Sequence, residues 1–186
     1  MKKSFLISGS SRGLGLELSK IFTQRGHKVF TMGHTTNSKV DIRVDLSNRE
    51  ESKKSLDAFF AERRIDVLIC NAGSGKLPLV ASTEAEISEY FDKLNFQTAR
   101  NLIDISLPHL MPFSDIVAVS SIVALKNIAS APQGYIDAKK KLNKLIKEYA
   151  IIQANKNIKF NIVSPGNIFF PGSRWEEILK ENPISV

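Results

Sequence analysis

A single cysteine, Cys70, stands in this 186-residue chain. One thiol closes no internal disulfide, and its place in the apolar run Ile65 to Cys70 marks it as a buried structural group rather than a nucleophile. No stretch reaches the roughly 18 apolar residues of a membrane helix. Met1-Lys2-Lys3 runs into a short strand pattern without a small-residue cleavage site, so a cytoplasmic protein with no membrane partner is expected. Only three histidines are present, His27, His34 and His109, and they form no metal-binding cluster. Repeats, low-complexity tracts and linkers are also missing, and with 42% hydrophobic and 24% charged residues the whole of 1–186 reads as one domain with material for a core.

Positive charge is in excess, at +7. Much of it comes from Lys139-Lys140-Lys141, Lys144 and Lys147. Lysines at 140, 144 and 147 lie opposite Leu142, Leu145 and Ile146 at helical spacing, which describes the solvated face of an amphipathic helix. No arginine cluster or interleaved aromatics accompany it, so no nucleic-acid partner is expected.

Strand-like runs fall near 4–9, 28–32, 40–44, 65–70, 115–120 and 158–164. Helical patterns fill 13–25, 48–62, 83–110 and 134–153. This alternation predicts an α/β fold: a doubly wound parallel sheet of Rossmann type, covered on both faces. In such sheets ligands sit beyond the carboxyl ends of the strands. Gly73 to Ser82 and Leu125 to Gly134 read as functional loops.

Ser4-Phe5-Leu6-Ile7 leads into Ser8-Gly9-Ser10-Ser11-Arg12-Gly13-Leu14-Gly15, after which Leu14, Leu18, Ile21 and Phe22 recur at helical spacing. A strand, a glycine turn and a helix start together make a phosphate cradle, with backbone amides and the helix dipole meeting the negative charge. The glycine spacing is G-x-x-x-G-x-G rather than G-x-G-x-x-G.

Tyr135 and Lys139 lie four apart and share a helix face. A phenol ionises near pH 10, so proton transfer at neutral pH needs about 3 units of help, or about 4 kcal/mol. An ammonium at about 4 Å with an effective dielectric near 20 supplies roughly that much.

These motifs together resemble the short-chain dehydrogenase/reductase family, over Met1 to about Phe170. Ser8 to Gly15 matches its cofactor turn and Asn71-Ala72-Gly73 its N-A-G element. Asp45, with Leu46 beside it, matches the acidic residue aimed at adenine. Asn95 matches an asparagine that holds a proton-relay water. Ser121 of the Ser120-Ser121 pair matches the catalytic serine, and Pro165-Gly166, with Ile168 following, matches the turn that approaches the nicotinamide. The resemblance implies hydride transfer between a nicotinamide cofactor and a carbonyl or alcohol carbon. Tyr135 would be the acid/base, Lys139 would lower its pKa and bond the nicotinamide ribose, Ser121 would hold the substrate oxygen, and Asn95 the relay water. Gly9, Ser11, Arg12, Gly13, Leu14, Gly15, Asn71, Ala72 and Gly73 would line the cofactor.

Cofactor choice turns on Met32 to Asn37, where an Asp or Glu would hold the ribose hydroxyls of NAD(H). None is present, while Arg12 and His34 stand ready to receive a 2′-phosphate, and Ser10, Ser11 and Thr35 add neutral donors. NADP(H) is therefore favoured, with NAD(H) use left open. The family usually continues for several tens of residues beyond the P-G turn, whereas this sequence stops at Val186. Phe169 to Pro183 reads as a short remnant of a lid, with 176–180 helical. Ile158 to Val163 would form an exposed edge strand, which leads us to expect a homo-oligomer or a longer natural chain. The readings are thus an NADP-dependent oxidoreductase acting on a small carbonyl or hydroxyl compound, or a non-catalytic NADP-binding protein with an incomplete substrate site. A nucleotide-sugar dehydratase or epimerase fits the glycine spacing less well.

Overall fold

The computed structural model describes residues 1–35, 39–80, 83–126, 128–171 and 173–181. Thr36, Asn37, Ser82, Asn127, Gly172 and the tail after Glu181, all in segments singled out above, lie outside the described residues.

Six strands, β1 (Ser4–Ser8), β2 (Lys28–Gly33), β3 (Ile42–Arg43), β4 (Val67–Cys70), β5 (Asp115–Val119) and β6 (Lys159–Val163), form one parallel sheet. Their order is β3-β2-β1-β4-β5-β6. The helices are α1 (Gly13–Gln24), α2 (Arg49–Glu62), α3 (Glu84–Asp92), α4 (Thr98–Ser106), α5 (Gln133–Ile152) and α6 (Arg174–Glu181). Strand order reverses between β1 and β4, so a crevice opens above their carboxyl ends.

Alternation along the strands sorts the core into two. Leu6, Leu68 and Ile116 point toward Leu56 and Phe60 of α2, Leu102 of α4 and Leu142 and Ile146 of α5. Phe5, Ile7, Val67 and Ile69 point the other way, toward Leu18 and Phe22 of α1. Phe22 stacks on Phe5 at 4.3 Å between ring centroids. Near-continuous apolar strands are what burial on both faces requires.

Register then fixes the floor of the crevice. Ser8 lies beside Met32, Ile7 beside Ile69, Cys70 beside Ala118, and Val119 beside Val163. The residues that follow these strands, Gly9, His34, Asn71, Ser120 and Ser164, therefore share one edge of the sheet.

The helix anticipated over 83–110 is interrupted. It starts on a capping box in which Thr83 Oγ1 accepts from Glu86 N–H and Thr83 N–H donates to Glu86 Oε2. Over Lys93–Gln97 it widens into a π-turn, with Thr98 N–H reaching Lys93 O, before α4 resumes and a 3₁₀ turn closes at His109. One extra residue per turn carries Asn95 to a fully buried position. Among the described residues β6 lies at one edge of the sheet; Lys159, Asn161 and Val163 are exposed, while Phe160 and Ile162 pack against the core.

Candidate active site

The glycine turn is built around hydroxyls. Ser8 Oγ accepts from the Asn71 and Ala72 N–H groups at 3.0 and 3.1 Å, tying β1 to the N-A-G segment. Asn71 Nδ2 donates to the carbonyls of Ser8 and Gly9 at 3.0 and 3.1 Å. Gly9 has a left-handed backbone (φ +65°), and a Cβ on Gly15 would stand 2.5 Å from Asn71 Nδ2, so close packing of turn, helix and strand demands glycine at both.

Ser10, anticipated as a donor to phosphate, is buried instead. Its hydroxyl donates to Ile7 O at 2.9 Å and accepts from Met32 N–H at 2.8 Å, pinning the turn to β2. Ser11 lies beside Gly33 at the end of β2, and Arg12 and His34 are exposed on the turn and after β2.

Gly13 and Leu14 open α1. Its first turn carries no side-chain cap and no acidic residue, so its N-terminal amides are left for another acceptor. That is the arrangement a diphosphate fits. Asp45 Oδ1 accepts from the Ser47 N–H and hydroxyl at 2.9 and 2.8 Å, and its Oδ2 accepts no hydrogen bond among the described residues. The Leu46 side chain is buried in the core, which leaves only its backbone for a ligand.

Beyond β4, Gly73, Asn95 and Lys139 converge. A Cβ on Gly73 would be 2.6 Å from Asn95 Oδ1 and 3.4 Å from Lys139 Nζ. The Asn95 side chain is fully engaged: Oδ1 accepts from Ser74 N–H at 3.0 Å, and Nδ2 donates to the carbonyls of Ser74 and Phe91 at 3.0 and 3.2 Å. It holds the loop after β4, so its side chain is committed to protein rather than to water.

Tyr135 and Lys139 lie on the same face of α5, as their spacing requires. The Tyr135 ring packs beside Gly75 and meets the Phe91 ring at 5.7 Å, with Ser121 near enough to its hydroxyl to act on its pKa. Ser121 also caps the short 3₁₀ turn after β5, accepting from Val123 N–H at 3.4 Å. Lys139 is only 4% exposed; its Nζ donates to Val119 O at 3.0 Å and lies 5.8 Å from the Tyr135 ring centroid.

Burial governs both titrations here. It pushes the Tyr135 phenol above its usual value, with Ser121 pulling back, and it lowers Lys139 to about 8. The expected lowering of the phenol by Lys139 is thus not what this geometry produces, because the ammonium is directed to the Val119 carbonyl and loss of solvent dominates. The phenol stays protonated at neutral pH.

At β6 the chain turns over the crevice. Pro165 O accepts from Ile122 N–H at 2.9 Å, Gly166 is open with nothing within 4 Å of its Cβ direction, and Ile168 is half-buried. Three features lay beyond sequence reasoning. Ser8 is the hub of the turn, Phe170 lies against Gly13, and Lys76 pairs with Glu177 of α6. Only the tail's lid-like position hinted at the last two.

Strand order, the uncapped α1 N-terminus and the crevice above β1 and β4 define the dinucleotide-binding class of doubly wound α/β proteins. Within that class, the chain belongs to the short-chain dehydrogenase family, whose profile, described as short chain dehydrogenase, matches residues 3–174. It is 26% identical over 191 residues to the L-fucose dehydrogenase of Oryctolagus cuniculus, covering 95% of this chain and 66% of that one. It is 29% identical over 193 residues to the 3-oxoacyl-[acyl-carrier-protein] reductase FabG of Chlamydia muridarum, covering 90% of this chain and 75% of that one. Among solved structures it resembles the RhlG/NADP active-site complex of Pseudomonas aeruginosa, with a TM-score of 0.85 at 21% identity over 97% of this chain and 77% of that one. The chain thus spans about two thirds to three quarters of the length of these proteins.

Proposed function

We propose that this chain is an NADP(H)-dependent oxidoreductase acting on a small carbonyl or hydroxyl compound, with Tyr135, Lys139, Ser121 and Asn95 as its working set. The observation that carries the reading is the gathering of Tyr135, buried Lys139 and Ser121 at the end of β5, with Lys139 Nζ on Val119 O at 3.0 Å and 5.8 Å from the Tyr135 ring centroid, on the crevice edge that the glycine turn also occupies. A pure binder has no chemical need for that set.

The cofactor would lie along the strand ends. Gly9, Gly13, Leu14 and Gly15 would receive its diphosphate on the uncapped amides of α1. Asp45 and Leu46 would flank the adenine, Asn71, Ala72 and Gly73 the central ribose, and Pro165, Gly166 and Ile168 the nicotinamide. Arg12, His34 and Ser11 would meet a 2′-phosphate, since Met32 to Asn37, where a ribose-binding acid would stand, holds no Asp or Glu. When bound, the nicotinamide supplies the hydride.

The chain's own residues handle the proton. Ser121 Oγ and the Tyr135 hydroxyl hold the substrate oxygen between them. The phenol, kept protonated by burial, donates its proton as the carbonyl oxygen becomes a hydroxyl, which favours reduction as the working direction. Lys139 stands behind the phenol as a buried cation, and Asn95 fixes the loop that forms the near wall.

Titration of wild type and Arg12→Ala with NADPH and NADH, followed by a carbonyl panel, tests this. The expected result is tighter binding of NADPH than of NADH, a loss of that preference in Arg12→Ala, and turnover abolished in Tyr135→Phe. Tight binding with no turnover would favour a non-catalytic NADP-binding protein, and no binding of either nucleotide would overturn both.

A further inference from the structure

We propose that the amino-terminal edge of the sheet, opposite the crevice, is a docking surface for an anionic lipid bilayer, with the Met111-Pro112-Phe113 turn as the part that enters the lipid interface. The proposal stands apart from the oxidoreductase reading, since no residue of the crevice takes part in it.

Phe113 has a backbone at odds with its residue type. Ser114 N–H donates to Met111 O at 3.1 Å, closing a turn with Pro112 and Phe113 at its two central positions. Phe113 takes φ +70°, the left-handed value that such a turn demands at its second central position and that glycine or asparagine ordinarily supplies. Asn157, the other non-glycine residue of positive φ among the described residues, is of that tolerant kind (φ +56°), and its carbonyl accepts from Phe113 N–H at 2.8 Å. Burial of the ring would offset the strain. Phe113 is instead 71% exposed, beside Met111 at 58%, so a strained backbone holds apolar side chains out in solvent.

The charge around the turn identifies what it meets. Phe113 lies just ahead of β5, and the same end of the sheet carries Lys2 and Lys3 ahead of β1, Lys28 at the start of β2, and Lys156 and Lys159 at the start of β6, all exposed. From β2 to β6 this row spans four strand spacings, about 19 Å. Its carboxylates are already engaged: Asp66 accepts from Ser4 N–H at 2.7 Å, and Asp115 pairs with Lys3 at 3.0 Å. Lys2, Lys28, Lys156 and Lys159 pair with no carboxylate among the described residues. Such cations around an exposed apolar tip complement a bilayer, the lysines meeting anionic headgroups while Met111 and Phe113 pass between them. A nucleic acid would satisfy the cations but leave the tip facing phosphates. Attachment of this kind needs no spanning helix and leaves the crevice, at the other end of the strands, open to water. It differs from the expectation of no membrane partner, which rested on the lack of a spanning segment.

Phe113→Gly tests the tip without endangering the fold, because glycine takes φ +70° freely. Wild type, Phe113→Gly and the double variant Lys156→Gln/Lys159→Gln, each shown to be folded by thermal melting, are sedimented with phosphatidylcholine vesicles and with vesicles containing roughly 30% phosphatidylglycerol. The expected result is binding to the anionic vesicles alone, about tenfold weaker in Phe113→Gly and about 25-fold weaker in the double variant, at roughly fivefold per lost cation. Wild type binding neither vesicle, wild type binding both equally, or undiminished binding by Phe113→Gly overturns the proposal. A short DNA duplex and light scattering without lipid test the other occupants. Duplex binding tighter than vesicle binding assigns the surface to nucleic acid, and a dimer that Phe113→Gly dissociates assigns it to a second copy; either overturns lipid docking.

Discussion

The Asn95 side chain grips the backbone of Ser74 on both sides, accepting from its N–H and donating to its carbonyl at 3.0 Å each. A buried amide thereby replaces the strand partner that the loop after β4 lacks. Asn95→Ala leaves both Ser74 groups and the Phe91 carbonyl without that partner, at a cost of about 2–4 kcal/mol. Chemical denaturation measures it; a loss under about 1 kcal/mol would mean that the loop is held by other contacts.

Lys139 is a buried cation kept at a price in stability. Its pKa is lowered to about 8 from 10.5, so between those values the unfolded chain binds more protons than the folded one and stability rises with pH. Below pH 8 the full penalty applies, on the order of 3 kcal/mol at 1.36 kcal/mol per unit. Lys139→Met removes it and forfeits the bond to Val119 O, so we expect a net gain of about 1–2 kcal/mol at pH 7 together with loss of turnover. The gain should shrink as pH climbs from 8 to 10.5. A variant less stable than wild type at pH 7 would contradict this.

In the proposed reaction the raised phenol sets the pH dependence of the rate. Reduction needs Tyr135 protonated, and because burial moves its pKa upward from 10, the reductive rate should survive past pH 10 as far as the phenol controls it. Ser121 pulls that pKa down, so Ser121→Ala should move the alkaline limb further up while lowering the rate. Rate profiles against pH, in the direction of reduction, read both; a limb that moves down in Ser121→Ala would show that the hydroxyl does not stabilise the phenolate.

Gly134 is where α5 crosses α3. A Cβ there would stand 2.8 Å from Ser88 Cα and 3.3 Å from a ring carbon of Phe91, and a backbone atom cannot turn aside. Gly134→Ala should therefore cost about 1–3 kcal/mol by overpacking. Tyr135 is the next residue, so kcat is expected to fall more than nucleotide affinity. Equal losses in both would indicate a global rather than local displacement.

The strand ends that carry Gly9, Asn71, Ser121 and Pro165 were legible in the sequence, because apolar runs bounded by glycine, asparagine and serine mark where a buried strand stops. Tyr135 and Lys139 were legible as a pair for a similar reason: helical spacing alone puts them on one face. Even the lack of an Asp or Glu from Met32 to Asn37 can be read from residue types.

Tertiary structure decided the rest. A π-turn at Asn95 is one residue out of phase with helical periodicity, which no pattern of apolar positions reports. Ser10 and Asn95 are small polar groups whose partners, at Met32 and Ser74, are 22 and 21 residues away, so whether they face a ligand or the protein depends on packing. The direction of the Tyr135 shift was also beyond spacing, since spacing gives the neighbour but neither its distance nor the water lost. Phe170 reaches Gly13 only because the sheet's last strand returns the chain to the crevice above its first. Local order follows from residue pattern along the chain; the partners of a polar or aromatic group are set by distances in space that the pattern does not contain.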